Sequence, residues 1–315
     1  MMTNATSSRQ EFIGIDLAQP VLRAALINSD GEVIERKEEH LDREHIVAQV
    51  AEIVGTFKGH EITNVGVAIP GLVNRLTDRV VASTELPAMV REELHAELMQ
   101  ATGLRFELEN DANAAAYGEY KVGAGSGCRD MFYMSIGKGI GGALILDGKL
   151  WTGASGLAGE VGHITIDAEG IQCACGNTGC LETIASAPNI VRRAQERLDR
   201  DSTSSLSRLA FNKEFTADDV AHEANNGDDF SLMMIERTGK YIGIGVASVI
   251  NLLNIECIVL GGGVMDAGDL ILHPIIQEAR QRAFQPCFEA TRIAAGKLGK
   301  DASAIGAALL ARDAA

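Results

Sequence analysis

The chain has 315 residues, of which 46% are hydrophobic and 23% charged, and a formal net charge of −15. That length supports a large core and two domains of ordinary size. The negative charge opposes non-specific attraction to nucleic acid or anionic membrane, yet leaves room for an anionic nucleotide held by backbone N–H groups.

The opening MMTNATSSRQ is polar and has no apolar stretch, so no signal peptide is expected. Phe12 to Leu17 (FIGIDL) reads as a short apolar strand carrying Asp16 near its end. Leu22 to Ile27 reads as a second strand, and Asp30-Gly31 as a hairpin turn before Val33 and Ile34. Residues 43–57 have the pattern of an amphipathic helix. Thr63 to Ile69 is an expected strand running into the turn Pro70-Gly71. A helix over Val90 to Thr102 closes at Gly103, and a strand at Arg105 to Leu108 precedes an alanine-rich helix over Asn110 to Tyr120. The pattern then restarts, so the chain reads as two similar halves. Met131 to Ile136 is a strand, GKGIGG (Gly137 to Gly142) a turn, and Ala143 to Leu146 the returning strand before Asp147-Gly148. Further helices are expected near 188–199, 216–225, 229–253, 269–283 and 302–312, with a strand at Cys257 to Leu260 entering Gly261-Gly262-Gly263. The most apolar late run, Tyr241 to Leu253, is interrupted by Gly243, Gly245 and Asn251 and is too short to span a bilayer. A cytoplasmic protein without nucleic-acid or membrane partners is the expectation.

Within the second half, between its returning strand and its helices, lies GHITIDAEGIQCACGNTGCLE, in which His163, Cys173, Cys175 and Cys180 are spaced HX9CXCX4C. Imidazole and thiolate are preferred Zn²⁺ ligands, and one histidine with three cysteines completes a tetrahedral structural site. Gly176 and Gly179 permit the tight fold this needs. The spacing is not that of a nucleic-acid finger. Cys128, Cys257 and Cys287 are scattered and read as buried hydrophobes rather than as a disulfide framework.

Three other places carry candidate chemistry. Asp16, the turn with Gly137, Lys138, Gly139 and Gly141, and the run Gly261, Gly262, Gly263 each follow an apolar strand. Such turns cradle phosphates or a flat base, and equally serve as ordinary tight turns. None has the Walker A or dinucleotide fingerprint. In ENDANAAAYGE, Asp111 at a helix start is favoured in its charged form and placed to take a proton from a sugar hydroxyl, with Asn110 orienting that sugar. The alternative is that Asn110 or Asp111 only caps the helix. Glu160, His163 and Glu182 are a possible polyhydroxylated-ligand set around the metal loop; alternatively the two glutamates are solvated surface acids.

Together these segments resemble the ROK family, in particular its bacterial glucokinase-like members and the related N-acetylhexosamine kinases. The resemblance spans Phe12 to Ala311 and is most specific in GEVGHITIDAEGIQCACGNTGCLE, ENDANAAAYGE, GVAIPGLVN, SIGKGIGGALILDG and VLGGGV. It implies an actin-like or hexokinase-like α/β fold of two domains with a central ligand cleft. The N-terminal domain would be 1–118 with 299–315 returning to it, and the C-terminal domain 119–298. It further implies Asp111 as catalytic base, and Asn110, Asp111, Glu160, His163 and Glu182 as sugar contacts. ATP, Mg²⁺, a structural Zn²⁺ and a homodimer are implied as well.

Three departures stand out. The family's DLGGTK turn is here Asp16-Leu17-Ala18-Gln19-Pro20-Val21, which lacks two glycines and a threonine hydroxyl. Lys138 replaces a small hydroxylated residue; it is either a substitute phosphate contact or a surface lysine. Glu85 replaces the asparagine that precedes LP in many glucokinase-like members. The implied reaction is phosphorylation of a hexose, glucose at the 6-hydroxyl first, with N-acetylmannosamine or N-acetylglucosamine as runner-up. A non-catalytic sugar sensor is the other class. Only about ten residues precede the first strand, so a DNA-binding domain of the repressor type is not expected.

Overall fold

The apolar run near the start forms β1 (Glu11–Asp16), buried from Phe12 onward. A computed structural model describes residues 10–18, 20–57, 60–74, 77, 79–83, 86–198, 203–212 and 214–315. Gln19 and Glu85, singled out above, lie outside the described residues. The chain divides into two compact units, 1–126 with 153–157 and 301–315, and 127–152 with 158–300.

In the first unit, β1 pairs antiparallel with β2 (Val21–Asn28), which pairs antiparallel with β3 (Val33–His40). β3 is longer than the expected Val33-Ile34. Its sequence, VIERKEEH, is mostly exposed at the sheet edge, where charges discourage pairing with other chains. Helix α1 (Ile46–Gly55) occupies the centre of the expected 43–57 span; the residues before it form turns in which Asp42 accepts from Glu44 N. Then follow β4 (Ile62–Ile69), the small hairpin β5 (Leu72–Asn74) and β6 (Arg79–Ala82), α2 (Ala88–Thr102), β7 (Arg105–Asn110) and α3 (Asp111–Val122). The main sheet has the order β3-β2-β1-β4-β7, with β1, β4 and β7 parallel.

The helix Ala302–Asp313 belongs to this first unit. It lies directly on the sheet because β1 and β4 present glycines there. Gly14 pairs with Gly66 across the strands. A Cβ on Gly14 would stand 1.8 Å from Ala304 O, and one on Gly66 1.9 Å from Ala307 O. Desolvation raises the Asp313 carboxyl, but hydrogen bonds from Arg312, Tyr117 and Lys121 outweigh it and hold it at about 2, fastening the end of this helix to α3.

The second unit repeats the pattern. Its strands are β8 (Met131–Ile136), β9 (Ile140–Leu146), β10 (Lys149–Trp151), β11 (Cys257–Gly261) and β12 (Arg292–Ala295). The order is β10-β9-β8-β11-β12; β8 to β10 run antiparallel in sequence, and β8, β11 and β12 are parallel. The two sheets thus share one strand plan, as the repeating sequence pattern suggests. The helices are α4 (Glu182–Ala185), α5 (Ala187–Leu198), α6 (Ser205–Asn212), α7 (Ala217–Asn225), α8 (Asp229–Leu253), α9 (Asp269–Arg282) and α10 (Gln285–Ala290). Each unit has its own buried apolar cluster. Among the described residues, no helix is long and apolar enough to cross a membrane.

Candidate functional site

In the first unit, the candidate residues gather at the carboxyl ends of parallel strands, where ligands bind in open α/β sheets. Asp16 ends β1 opposite Ala68, and Ile69 of β4 stands opposite Asn110, the last residue of β7. Asn110 is the N-cap of α3: its side-chain oxygen accepts from Asn113 N at 3.0 Å. The capping role therefore falls to Asn110, and Asp111 is left in the first turn, where the helix field favours a carboxylate. The Asn110 amide donates to Gly71 O and to Asp111 Oδ1, each at 2.9 Å. Beneath them the buried Glu109 Oε1 accepts from Asn110 N and Asn113 Nδ2, both at 2.9 Å. Sequence reasoning missed Glu109, Asn113 and the Gly71 carbonyl; the quoted motifs GVAIPG and ENDAN contain all three.

Asp16 is 2% exposed, and its Oδ1 accepts from Ala18 N at 2.8 Å. Leu17 N donates to Ala68 O at 3.0 Å, and Pro20 has no N–H. The β1–β2 turn is therefore poorly fitted to cradle phosphates: three of its positions have no amide to offer.

In the second unit, His163 lies on a short 3-10 turn, Val161–His163, and the three cysteines on the loop after it. One ligand atom from each of His163, Cys173, Cys175 and Cys180 lies within 4.8 Å of the other three. His163 Nδ1 is 3.7 Å from Cys173 Sγ, and the Cys175 and Cys180 sulfurs are also 3.7 Å apart. Two ligands about 2.1–2.3 Å from one tetrahedral ion stand about 3.6–3.8 Å apart, so these edges fit a four-coordinate metal. The loop is folded by backbone bonds from Cys173 N to Asn177 O and from Gly176 N to Cys173 O, and by bridges Thr165–Cys180 and Gln172–Thr178. Gly179 is indispensable to it: its φ is +70°, and a Cβ there would lie 1.5 Å from Asp167 O. Asn177, absent from the sequence expectations, donates to Thr165 Oγ1 at 2.9 Å and to Cys180 Sγ at 3.5 Å. Burial pushes the Cys180 thiol up to about 12, whereas the backbone N–H of Asn177, with further help from Cys173, lowers Cys175. The group is a candidate metal-binding centre.

With Nδ1 turned to the sulfurs, His163 Nε2 is 3.8 Å from Glu160 Oε2. Glu160 keeps 49% of its side-chain surface, yet desolvation raises its pKa, with the Glu182 charge adding and His163 opposing. Glu182 is half-buried at the start of α4, and its Oε2 accepts from Ile140 N at 2.7 Å. It is therefore a fixed carboxylate of the GKGIGG hairpin rather than a solvated acid. Ala187 N donates to Gly137 O at 2.8 Å, tying the hairpin to α5. Lys138 is exposed at its tip. The second glycine run abuts the first: a Cβ on Gly262 would stand 2.4 Å from Ile136 O, and Gly261 pairs with Ser135. Gly262 thus lies against the end of β8, where the turn of Gly137, Lys138 and Gly139 begins, whereas Gly141 belongs to β9 and pairs with Ser135 from the other side of β8; Gly263 opens the next 3-10 turn.

The family model described as the ROK family matches residues 12–314. A glucokinase from Halalkalibacterium halodurans is 33% identical over 314 residues, covering 96% of this chain and 94% of the relative. A ROK family glucokinase from Streptomyces griseus, solved in complex with glucose and AMPPNP, superposes with a TM-score of 0.86 at 30% identity, over 96% of this chain and 99% of that one. A ROK family transcriptional regulator, homologous to the E. coli MLC protein, gives the same TM-score of 0.86 at 30% identity, over 97% of this chain and 78% of that one. The mixed α/β architecture with two five-stranded sheets is therefore the actin/hexokinase-like fold of these proteins. The chain belongs to the ROK family, homologous to bacterial glucokinases and to related sugar-kinase and regulator proteins.

Proposed function

We propose that this protein is an ATP-dependent hexose kinase, with glucose at its 6-hydroxyl as the first substrate and Asp111 as the catalytic base. The observation that carries the reading is the Asp111 carboxylate, fixed in the first turn of α3 beyond the parallel strands. Similarity to glucokinases over nearly the whole chain supports it. Asp111 would take the proton of the attacking hydroxyl. The sugar oxygen would then bond to the γ-phosphorus as the bond to the β–γ bridging oxygen breaks, and ADP would leave with that electron pair. Asn110, Glu160, His163 through Nε2, and Glu182 would bind sugar hydroxyls. Lys138 and the glycine turns at 137–141 and 261–263 would face the nucleotide. Mg²⁺, held through Asp16 or its water, would neutralise charge on the phosphates.

The ion in the cysteine loop is Zn²⁺ on this reading. One histidine and three cysteines suit it, and four protein ligands leave no position for water, so its role is to shape the sugar-facing loop. A homodimer completes the reading, carried over from the family.

A second reading is favoured by one observation. The β1–β2 turn has Leu17 N and Ala18 N already bonded and a proline after them. A sugar sensor needs no phosphate cradle, and one similar structure is that of a transcriptional regulator. A transfer assay separates the two. Glucose, mannose, fructose, allose and both N-acetylhexosamines would be tested with ATP and with polyphosphate, scoring sugar phosphate. Sugar phosphate should form from glucose and ATP, and Asp111→Asn should lower kcat by about a thousandfold or more with little loss of sugar affinity. Preference for an N-acetylated sugar would overturn the glucose assignment. Sugar binding without transfer from any donor would move the reading to the sensor, and a near-normal kcat in Asp111→Asn would remove Asp111 as base.

A further inference from the structure

We propose that Asn110 is a positioning residue for Asp111. This rests on the kinase reading and adds a second role to the proposed sugar contact of Asn110. A primary amide has two N–H donors and one oxygen with two lone pairs. Both Asn110 donors are in use, one on Gly71 O and one on Asp111 Oδ1, each at 2.9 Å. One lone pair is in use as well, accepting from Asn113 N at 3.0 Å. Three of the four bonding positions therefore belong to the fold, and a sugar hydroxyl can only donate to the remaining lone pair.

The amide is itself held rigidly. Its backbone N–H and the Asn113 side chain both end on the buried Glu109 Oε1. Its other anchor, the Gly71 carbonyl, sits at a φ of +150°, and a Cβ on that glycine would stand 2.2 Å from Ala82 O. Buried Glu109, the cap bond and the Gly71 carbonyl thus fix the plane of the Asn110 amide, and the amide aims one N–H at the Asp111 carboxylate. An N–H bond to a carboxylate favours its ionised form and removes rotational freedom about its side chain. Both effects serve a group that must be unprotonated and correctly turned when the sugar arrives.

Two substitutions separate positioning from sugar contact. Serine and aspartate are both good N-caps, so Asn110→Ser and Asn110→Asp keep the acceptor for Asn113 N. Asn110→Ser removes the donor to Asp111; Asn110→Asp also replaces it with a like charge. Both changes raise the Asp111 pKa, the second more. The acidic limb of the kcat profile should move up by about half a pH unit to one unit in Asn110→Ser and by about one unit or more in Asn110→Asp. Below that limb, one unit is about a tenfold loss of ionised Asp111. Sugar KM reports the contact through the remaining lone pair separately, so the acidic limb of kcat and the ligand-free titration, not KM, carry the positioning role. A carboxyl-carbon NMR titration of Asp111 in the full-length, ligand-free protein gives the same shift without turnover, so this inference and the kinase reading fail separately. An unmoved Asp111 titration in both variants would overturn the proposal, as would a sugar KM raised about tenfold with the acidic limb in place. Should Asn110→Asp fail to fold, the Asn110→Ser titration alone decides.

Discussion

Gly139 has no side chain, and a Cβ there would lie 2.7 Å from Glu182 Oε2. The same carboxylate oxygen accepts from Ile140 N, so an added methyl pushes against an acid that is already bonded on the hairpin. Gly139→Ala should displace Glu182 and, if Glu182 binds sugar, weaken sugar affinity by about tenfold. Gly137→Ala meets no atom within 4 Å and should leave sugar affinity unchanged. Calorimetric titration with sugar measures both, and equal affinities in the two variants would remove this role for Glu182. At this scale the sequence spoke unevenly. The candidate metal-binding group was legible because ligand types at close spacing leave few alternatives. The fixing of Glu182 was not, because it depends on a backbone N–H 42 positions earlier in the chain.

Elements were legible where an apolar run was long enough to show a period. The strands at the centres of both sheets and the long helix α8 appear where expected, with ends shifted by a few residues. Short elements did not announce themselves. β12 has only four residues, Arg292–Ala295, and exists because β11 supplies a partner strand. β5, β6, β10, α6 and α10 are similarly brief. The exposed strand β3 was recognised for only its first two residues, since a charged edge strand lacks the alternation that betrays a half-buried one. The cysteine loop is irregular, with two isolated bridges in place of a sheet. On the proposed zinc reading, its order should depend on the metal more than that of either core. Stripping the metal with a chelator should increase hydrogen exchange between His163 and Cys180 by about tenfold or more, while amides of β8 and β11 keep their protection; readdition of Zn²⁺ should reverse this and release protons. A loop equally protected without metal would show that the backbone bonds suffice.

At the scale of the whole molecule, the repeated strand plan was visible as a restarting sequence pattern, but the shared order of the two sheets was not. Order depends on which strands pair across long separations, and one sequence contains no pairing information beyond periodicity. The first unit is also discontinuous: β1 and β4 begin it and Ala302–Asp313 covers them. A chain ending at Lys300 should lose exchange protection throughout β1, β4 and β7, because the glycine face and the apolar side chains under that helix become wet. The second unit, whose apolar cluster draws on none of the missing residues, should retain its own protection. Mass-spectrometric hydrogen exchange would decide, and uniform loss in both units would show that the second cannot stand without the first. The same discontinuity orders events at the ribosome. Synthesis delivers strands β1 and β4 early, yet the helix that fits against Gly14 and Gly66 emerges only after every residue of the second unit. The first half of this protein therefore waits, incomplete, while the second half is made, and an aborted nascent chain leaves exposed the strands β1 and β4 that the last helix would cover.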